Sequence, residues 1–545
     1  MKKILSFAVA LVMLLTMSIP TFAIYDGAPD TVGSVDSGYT PTGTPVSSVS
    51  EFVNMAAGGT YYLTKSLDFS GTTYTASIWN KTGDLTLDGC GHSLTGITIN
   101  GSGDVGVFYD LRVGTIKNLN VEADITTTGC AGLTALSKGG YDTCFENVKL
   151  NVKIRGGQVG GFCGYAASGK FIFKNCEVNG TIDGSGSTAS GGNSGVGGFL
   201  GRTQKAGEMD YCTNNATVLG NNSNAGGFIG RARYGFIIDD SINKGNVSNT
   251  SGSGDSGTAG FIGMTQSDSG STGSTMIRGC KNIGEIKGGR DSGGFIGAVY
   301  NGTNVKGITV QNCINEGDVT GGMYGNGSKG AKAAGIVAEV GTMDILISGC
   351  VNKGAITGGT LYEDDGVGAI IGGAVTTSTT GTWELINNTN EGIVTNTLET
   401  TKVSTLAGYT SLATVEASGN TSTTKAVGTL ATAGKAYIQF AEADTTSDVR
   451  FILALDESAV ANVDAMNLKV SIGDVSVNFD NFGTLYRKLY AADLDIKGGN
   501  GVVLYGLIVT GVPNDVWSTI SIALSATDST GTAIDALTVT GTYTK

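Results

Sequence analysis

A short pattern returns along the middle of this chain, and its recurrence restricts the fold more than any other property. FIFKNCEVNGTI (171–182) is followed by MDYCTNNATV (209–218), IIDDSINKGNV (237–247), MIRGCKNIGEI (276–286), TVQNCINEGDV (309–319), ILISGCVNKGAI (345–356) and ELINNTNEGIV (384–394). Aligned on the first cysteine, one column reads Cys176, Cys212, Ser241, Cys280, Cys313, Cys350, Asn388. Two residues on it reads Val178, Asn214, Asn243, Asn282, Asn315, Asn352, Asn390. Four residues on, glycine fills every place except Ala216, and six residues on the residue is always Ile or Val. A second motif alternates with the first: GGFCG (160–164), GGFLG (197–201), GGFIG (226–230), AGFIG (259–263), GGFIG (293–297), AGIVA (334–338) and GAIIG (368–372).

Equivalent residues lie between 29 (Cys212 to Ser241) and 41 (Gly293 to Ala334) positions apart, and the variation falls in Gly/Ser-rich segments between motifs. Fixed apolar motifs with variable loops describe a solenoid of stacked rungs. The motifs are short, β-branched and bounded by glycine, with no sustained 3.6-residue period, so the rungs are predicted to be parallel β-strands about 4.8 Å apart. Residues of one column then lie above one another. The Asn column is expected to form an amide ladder. The glycine two residues later is expected to supply backbone freedom for a turn. The Ile/Val column is expected to fill the core.

The flanks extend this reading. Ser48 and Glu51 are spaced as a capping box for a short amphipathic helix through Ala57, which would cover the open end of the stack. FENVKLNVKI (145–154) is a degenerate repeat with Val148 in the cysteine column. Near residue 400 the pattern stops, and a Thr/Ser-rich segment (399–425) reads as a linker. Beyond it, YIQF, DVRFILAL, LKVSI, VSVNF, VVLYGLIVTG, STISIALSA and LTVTGTYT (437–544) read as seven strands of a small antiparallel β-sandwich.

The first residues carry a different signal. Lys2 and Lys3 precede an apolar run from Ile4 to Met17, and Thr21-Phe22-Ala23 offers small residues for cleavage. A Sec-type signal peptide cleaved near Ala23 is expected, giving a secreted, extracellular or cell-surface protein with no transmembrane segment in the mature chain. The expected organisation is a signal peptide (1–23), a Ser/Thr/Gly/Pro-rich leader (24–47), a parallel β-helix (48–398), the linker (399–425) and the sandwich (426–545).

The repeats resemble those of the GLUG family of bacterial exported and surface proteins, over roughly residues 145–397. LTLDGCGHSLTG (85–96) and GTIKNLNV (114–121) resemble opening rungs of pectate-lyase-like right-handed β-helices. The resemblance implies a right-handed parallel β-helix in a surface or adhesin-like protein, and it brings no catalytic residue with it.

Charge and composition limit what the chain can bind. With 34 basic against 47 acidic residues the net charge is −13, which disfavours nucleic acid and acidic membrane surfaces. A single histidine, His92, excludes a multi-histidine metal centre and reads as a turn residue. The nine cysteines are an odd number, and Ser241 and Asn388 share the cysteine column, so a buried, reduced ladder is expected rather than disulfides or metal.

The candidate chemistry lies in two charged columns. Arg202 and Arg231 each follow the last glycine of the second motif and would stack about 5 Å apart. Two positions before the cysteine column stand Lys174, Asp210, Asp239 and Arg278, a sequence of plus, minus, minus, plus. A cation between Asp210 and Asp239 and an acidic sugar at Arg202 and Arg231 would make a polysaccharide lyase or hydrolase. The plainer expectation is a solvated column that neutralises itself. Glu363, Asp364 and Asp365 form an acidic loop that could hold Ca²⁺ but lacks the spacing of a calcium-binding loop. Tyr486, Tyr490 and Trp517 could stack on sugar rings. The leading expectation is a non-catalytic binding or adhesion protein that meets an extracellular glycan or surface protein through its loops. An enzyme is the alternative, with a structural spacer as a third reading. IKGGRDS (286–292) is the part of its rung that the repeat does not constrain, and so is free to carry function.

Overall fold

The structure is a computed structural model. It describes residues 31–544 apart from short stretches, the longest being 187–193, 250–256, 267–273, 301–306, 322–331, 359–365, 375–380, 397–402, 423–428, 480–495 and 514–518. The signal-peptide reading, Glu363, Asp364, Asp365, Tyr486, Tyr490 and Trp517 fall outside the described residues. Two compact units divide between Thr423 and Thr424.

The larger unit is a parallel β-helix. Residues 213–214 pair in parallel with 242–243, then 281–282, 314–315, 351–352, 389–390 and 421–422. The second motif stacks in the same way, from Leu200 on Ile229 through Ile262, Ile296 and Val337 to Ile371. The Ile/Val column (Ile182, Val218, Val247, Ile286, Val319, Ile356) is buried. The phenylalanines of the second motif form a second buried stack, Phe162–Phe199–Phe228–Phe261–Phe295, with ring centroids 4.7–5.1 Å apart.

The Asn ladder forms. Each Nδ2 donates to Oδ1 one rung on: Asn214 to Asn243, Asn243 to Asn282, Asn282 to Asn315 and Asn315 to Asn352, all at 2.8 Å, then Asn352 to Asn390 at 2.9 Å. Each Nδ2 also donates to the carbonyl two residues on, as Asn282 does to Gly284 at 3.1 Å. Every amide in the row is buried.

The glycine four residues after the cysteine column meets the sequence expectation at Gly180, which takes φ of 106°, and departs from it at Gly245, Gly284, Gly317, Gly354 and Gly392. Gly284 does not adopt a positive φ. A Cβ there would stand 2.0 Å from the carbonyl oxygen of Gly245, the same position one rung away. The glycine is needed for close stacking. The second glycine of the other motif has a matching role: a Cβ on Gly260 would meet Oδ1 of Asn282 at 2.3 Å. The two motifs recur together because one leaves room for the other's amide.

The positive-φ corner lies one residue before the cysteine column. Asn118, Asn147, Asn175, Tyr211, Asp240, Gly279, Asn312, Gly349 and Asn387 all take φ of 46–63° there. Asn, Asp and Gly tolerate this conformation best, so Tyr211 is the unusual member.

The ends of the stack differ from the expected boundaries. Helix α1 (Val49–Asn54) begins where the capping box placed it, with Ser48 Oγ accepting from Glu51 N at 3.2 Å. The return bond goes to Ser47 N at 2.7 Å, one residue earlier than a capping box requires. The helix stops before Ala57, because Trp79 Nε1 takes Met55 O at 2.9 Å and Lys81 Nζ takes Val53 O and Met55 O. Phe52 packs into the core against Phe69 and Phe108 and closes that end. The leader is also part of the stack. Strand β1 (Thr44–Val46) pairs with β2 (Gly59–Leu63), and Gly33 and Ser34 bond to the Asn147 side chain. At the far end, the predicted linker supplies another rung: 403–404, 407–409, 414–418 and 421–422 pair in parallel with the rung before. Its Asn420 accepts from Asn388 N at 2.9 Å, in the cysteine column, and Ser422 accepts from Asn390. Thr and Ser suit strands, and here they replace the motif residues that would have marked the rung.

The second unit has the expected antiparallel sheets. Residues 435–442, 446–456 and 502–513 form one, and 465–472, 475–479, 519–527 and 539–544 the other. Their inner faces share one core, with Val449, Phe451, Leu453 and Leu455 against Met466, Leu468, Ile520 and Ile522. A further parallel pair, 429–431 with 496–498, was not anticipated.

Candidate functional site

The charged column is built as the repeat predicts. Lys174 faces Asp210, Asp210 faces Asp239, and Asp239 faces Arg278 on consecutive rungs. Arg278 grips Asp239 with both arms, Nε to Oδ1 at 2.8 Å and Nη2 to Oδ2 at 2.6 Å. This fork-to-fork contact answers one of the two stacked carboxylates from inside the protein. Partial burial and then the carboxylates of Asp239 and Asp240 push Asp210 above the usual aspartate range, while Lys174 acts in the opposite sense. Asp240 is raised by burial and by Asp239. Among the described residues no set of three or more His, Cys, Asp or Glu side chains is placed to hold a metal ion.

Arg202 and Arg231 face each other one rung apart, on a column that continues from Tyr165. Their surroundings differ from those of a sugar site. Arg202 lies over the Tyr165 ring, 5.3 Å from its centroid. Arg231 is buried, 5% exposed. An arginine whose surface is covered cannot meet a polymer arriving from solvent. The two columns therefore have the predicted register, but Asp239 is already paired and Arg231 is not accessible.

His92 lies in the turn after Asp88, its N–H donating to Gly89 O at 2.8 Å. All nine cysteines are free thiols. In the column, Cys176, Cys280, Cys313 and Cys350 are buried, and each donates to a backbone carbonyl on the adjoining rung at 3.4–3.5 Å. Burial holds the thiols of Cys163, Cys176, Cys313 and Cys350 far above their usual range, which suppresses the reactive thiolate.

A further charged cluster is not marked by the repeat columns. Lys332 and Glu339 flank the AGIVA motif of a single rung and form an ion pair, Nζ to Oε2 at 2.7 Å. Asp291 is on the adjoining rung, placed beside Lys332 by the pairing of Ser292 with Ala333 and Gly293 with Ala334. Arg290 contacts both acids, Asp291 Oδ2 at 3.4 Å and Glu339 Oε2 at 3.3 Å. The side chains of Asp291 and Glu339 are 0% exposed, Lys332 1% and Arg290 8%. Burial works against the Lys332 ammonium, but Glu339 and Asp291 outweigh it and hold the amine above the usual lysine range. The sequence did contain a sign. Glu339 occupies the column of Arg202 and Arg231, three rungs beyond Arg231, and Arg290 and Asp291 belong to the unconstrained IKGGRDS. What it could not show is that Lys332 and Glu339, seven residues apart across the motif, turn to face each other.

No family model and no curated protein matches the sequence. A solved structure described as "a putative immunoglobulin A1 protease from Bacteroides ovatus" is similar at 12% identity and a TM-score of 0.28, over 69% of this chain and 86% of that one.

Proposed function

We propose that this is an exported, non-catalytic binding protein of the GLUG-repeat kind. In this reading the β-helix is a rigid scaffold, and its variable connections meet a glycan or another surface component. The observation that supports it is where variation is permitted. Each rung is fixed from the cysteine column through the Ile/Val column and again across the second motif. Between motifs the sequence length changes in the two segments that flank the second motif: fourteen residues separate Ile182 from Gly197 but six separate Ile286 from Gly293, and sixteen separate Gly263 from Cys280 but ten separate Gly230 from Ser241. A scaffold that varies only there can change its binding surface without disturbing its core. The pairing of Asp239 with Arg278 and the burial of Arg231 favour this reading over the catalytic alternative. A net charge of −13 favours a neutral glycan over a polyanionic one. The test is a glycan array probed with the full-length protein, together with an assay for new reducing or unsaturated ends on the glycans it retains. Retention without turnover is expected. Release of sugar ends, or no retention on any glycan or cell surface, would reject the reading.

A further inference from the structure

We propose that Lys332 and Asp291 condense into an amide that cross-links two neighbouring rungs, with Glu339 as the catalytic residue that moves the proton. This inference is independent of the binding role proposed above.

Three observations support it. The first is composition: an amine, the carboxyl that would acylate it and a second carboxyl in contact with the amine lie in one buried cluster. The second is placement. Asp291 and Lys332 occupy the same column on adjoining rungs, where the spacing is about 4.8 Å and side chains project the same way. Both side chains are long enough to meet across that gap. Lys332 Nζ is already 2.7 Å from Glu339 Oε2, while Oε1 of Glu339 accepts no hydrogen bond from the described residues. A free carboxylate oxygen is thus available to hand a proton on. The third is energetic. A buried ammonium–carboxylate pair must overcome a desolvation cost of several kcal/mol per ion. A neutral amide carries no such cost, so condensation removes two buried charges at once. The cluster is also balanced for the change, since Arg290 remains as the counter-ion of Glu339.

The step needs no oxidant and no co-reactant. Glu339 takes a proton from the Lys332 ammonium. The freed Nζ lone pair attacks Cγ of Asp291 and forms the C–N bond. The tetrahedral centre then collapses with cleavage of one C–O bond. The departing oxygen leaves as water, carrying the proton relayed by Glu339 and a second proton lost from the nitrogen. An ammonium and a carboxylate become one amide and one water, and Glu339 ends as it began. Exclusion of solvent favours the amide, because water is the reactant of the reverse reaction.

The experiment is a peptide map of the folded, full-length protein after denaturation and trypsin digestion. The expected product is one branched peptide in which residues 291–306 are joined to 330–353, uncut after Lys332 and lighter than the two peptides together by one water. Glu339→Gln keeps the side chain's shape but cannot accept the proton, and should return both peptides unlinked. Asp291→Ala should do the same. The decisive measurement is on the unaltered chain, so it holds even if a variant fails to fold. Free 291–306 and cleavage after Lys332 in folded wild-type protein overturn the proposal. So would a full yield of the branched peptide from Glu339→Gln, which would exclude Glu339 as the proton carrier.

Discussion

The Asn column from Asn214 to Asn390 and the charged column from Lys174 to Arg278 are products of the same register. In both, stacking places like beside like. An amide has a donor at one end and an acceptor at the other, so a row of buried amides can bond to itself without limit. A carboxylate has only acceptors, so Asp210 above Asp239 needs help from elsewhere, and Arg278 supplies it on one side only. A solenoid can therefore repeat a self-complementary side chain indefinitely in its interior. A like charge is repeated only briefly, as in Asp210–Asp239 and Arg202–Arg231.

Substitutions can test this contrast. The largest effect is expected inside the ladder. Asn282→Ala removes the ladder partner of one N–H of Asn243 and of the Oδ1 of Asn315 together, and should cost about 3 kcal/mol or more, read from the urea midpoint of the β-helix. A loss below about 1 kcal/mol would mean that the ladder is not a main support. Next comes Gly284→Ala, whose Cβ would strike Gly245 O. An overpacking loss of about 2 kcal/mol is expected in the same titration. If the site tolerates alanine, close stacking is not what the glycine provides. The outer column should respond far less. Arg278→Gln breaks an ion pair whose arginine is 44% exposed, so the loss should stay below about 1 kcal/mol and shrink further in high salt. The smallest effect should come from Asp210→Asn, and it has the opposite sign at neutral pH. The folded protein holds Asp210 above its unfolded value, so the charged form is the disfavoured one. The variant should melt slightly higher at neutral pH. Its advantage should fade as pH falls through the raised native value and vanish below the ordinary aspartate range. Melting curves of both proteins from neutral to acidic pH would show it, and a variant that melts lower at neutral pH would refute the repulsion.

Much of the β-helix was legible because stacking turns a one-dimensional period into three-dimensional contacts. The amide ladder, the buried thiols and both charged columns follow once Cys176 is aligned with Cys212. Three things were not legible. The role of Gly284 was misassigned because φ and steric approach leave the same mark on a sequence, a glycine. The rung at 403–422 was missed because Thr and Ser replaced the motif while the backbone pairing continued, and only Asn420 kept a recognisable place. The Lys332–Glu339 pair was not legible because its partners face each other within a rung, whereas the repeat relates positions between rungs. Arg231 illustrates the remaining limit: register gives its neighbours along the stack, but not what covers it.

The amide ladder also has a direction. Every Nδ2 points to the next rung toward the C-terminus, so the amides are aligned head to tail, and each one polarises the next. One reversed amide would set donor against donor on one side and acceptor against acceptor on the other. Yet removing a whole period, for example from Asn243 to just before Asn282, would leave Asn214 facing an identical acceptor. The unit in which this molecule can be lengthened or shortened is thus the complete rung, and its length is free to vary where its sequence is not.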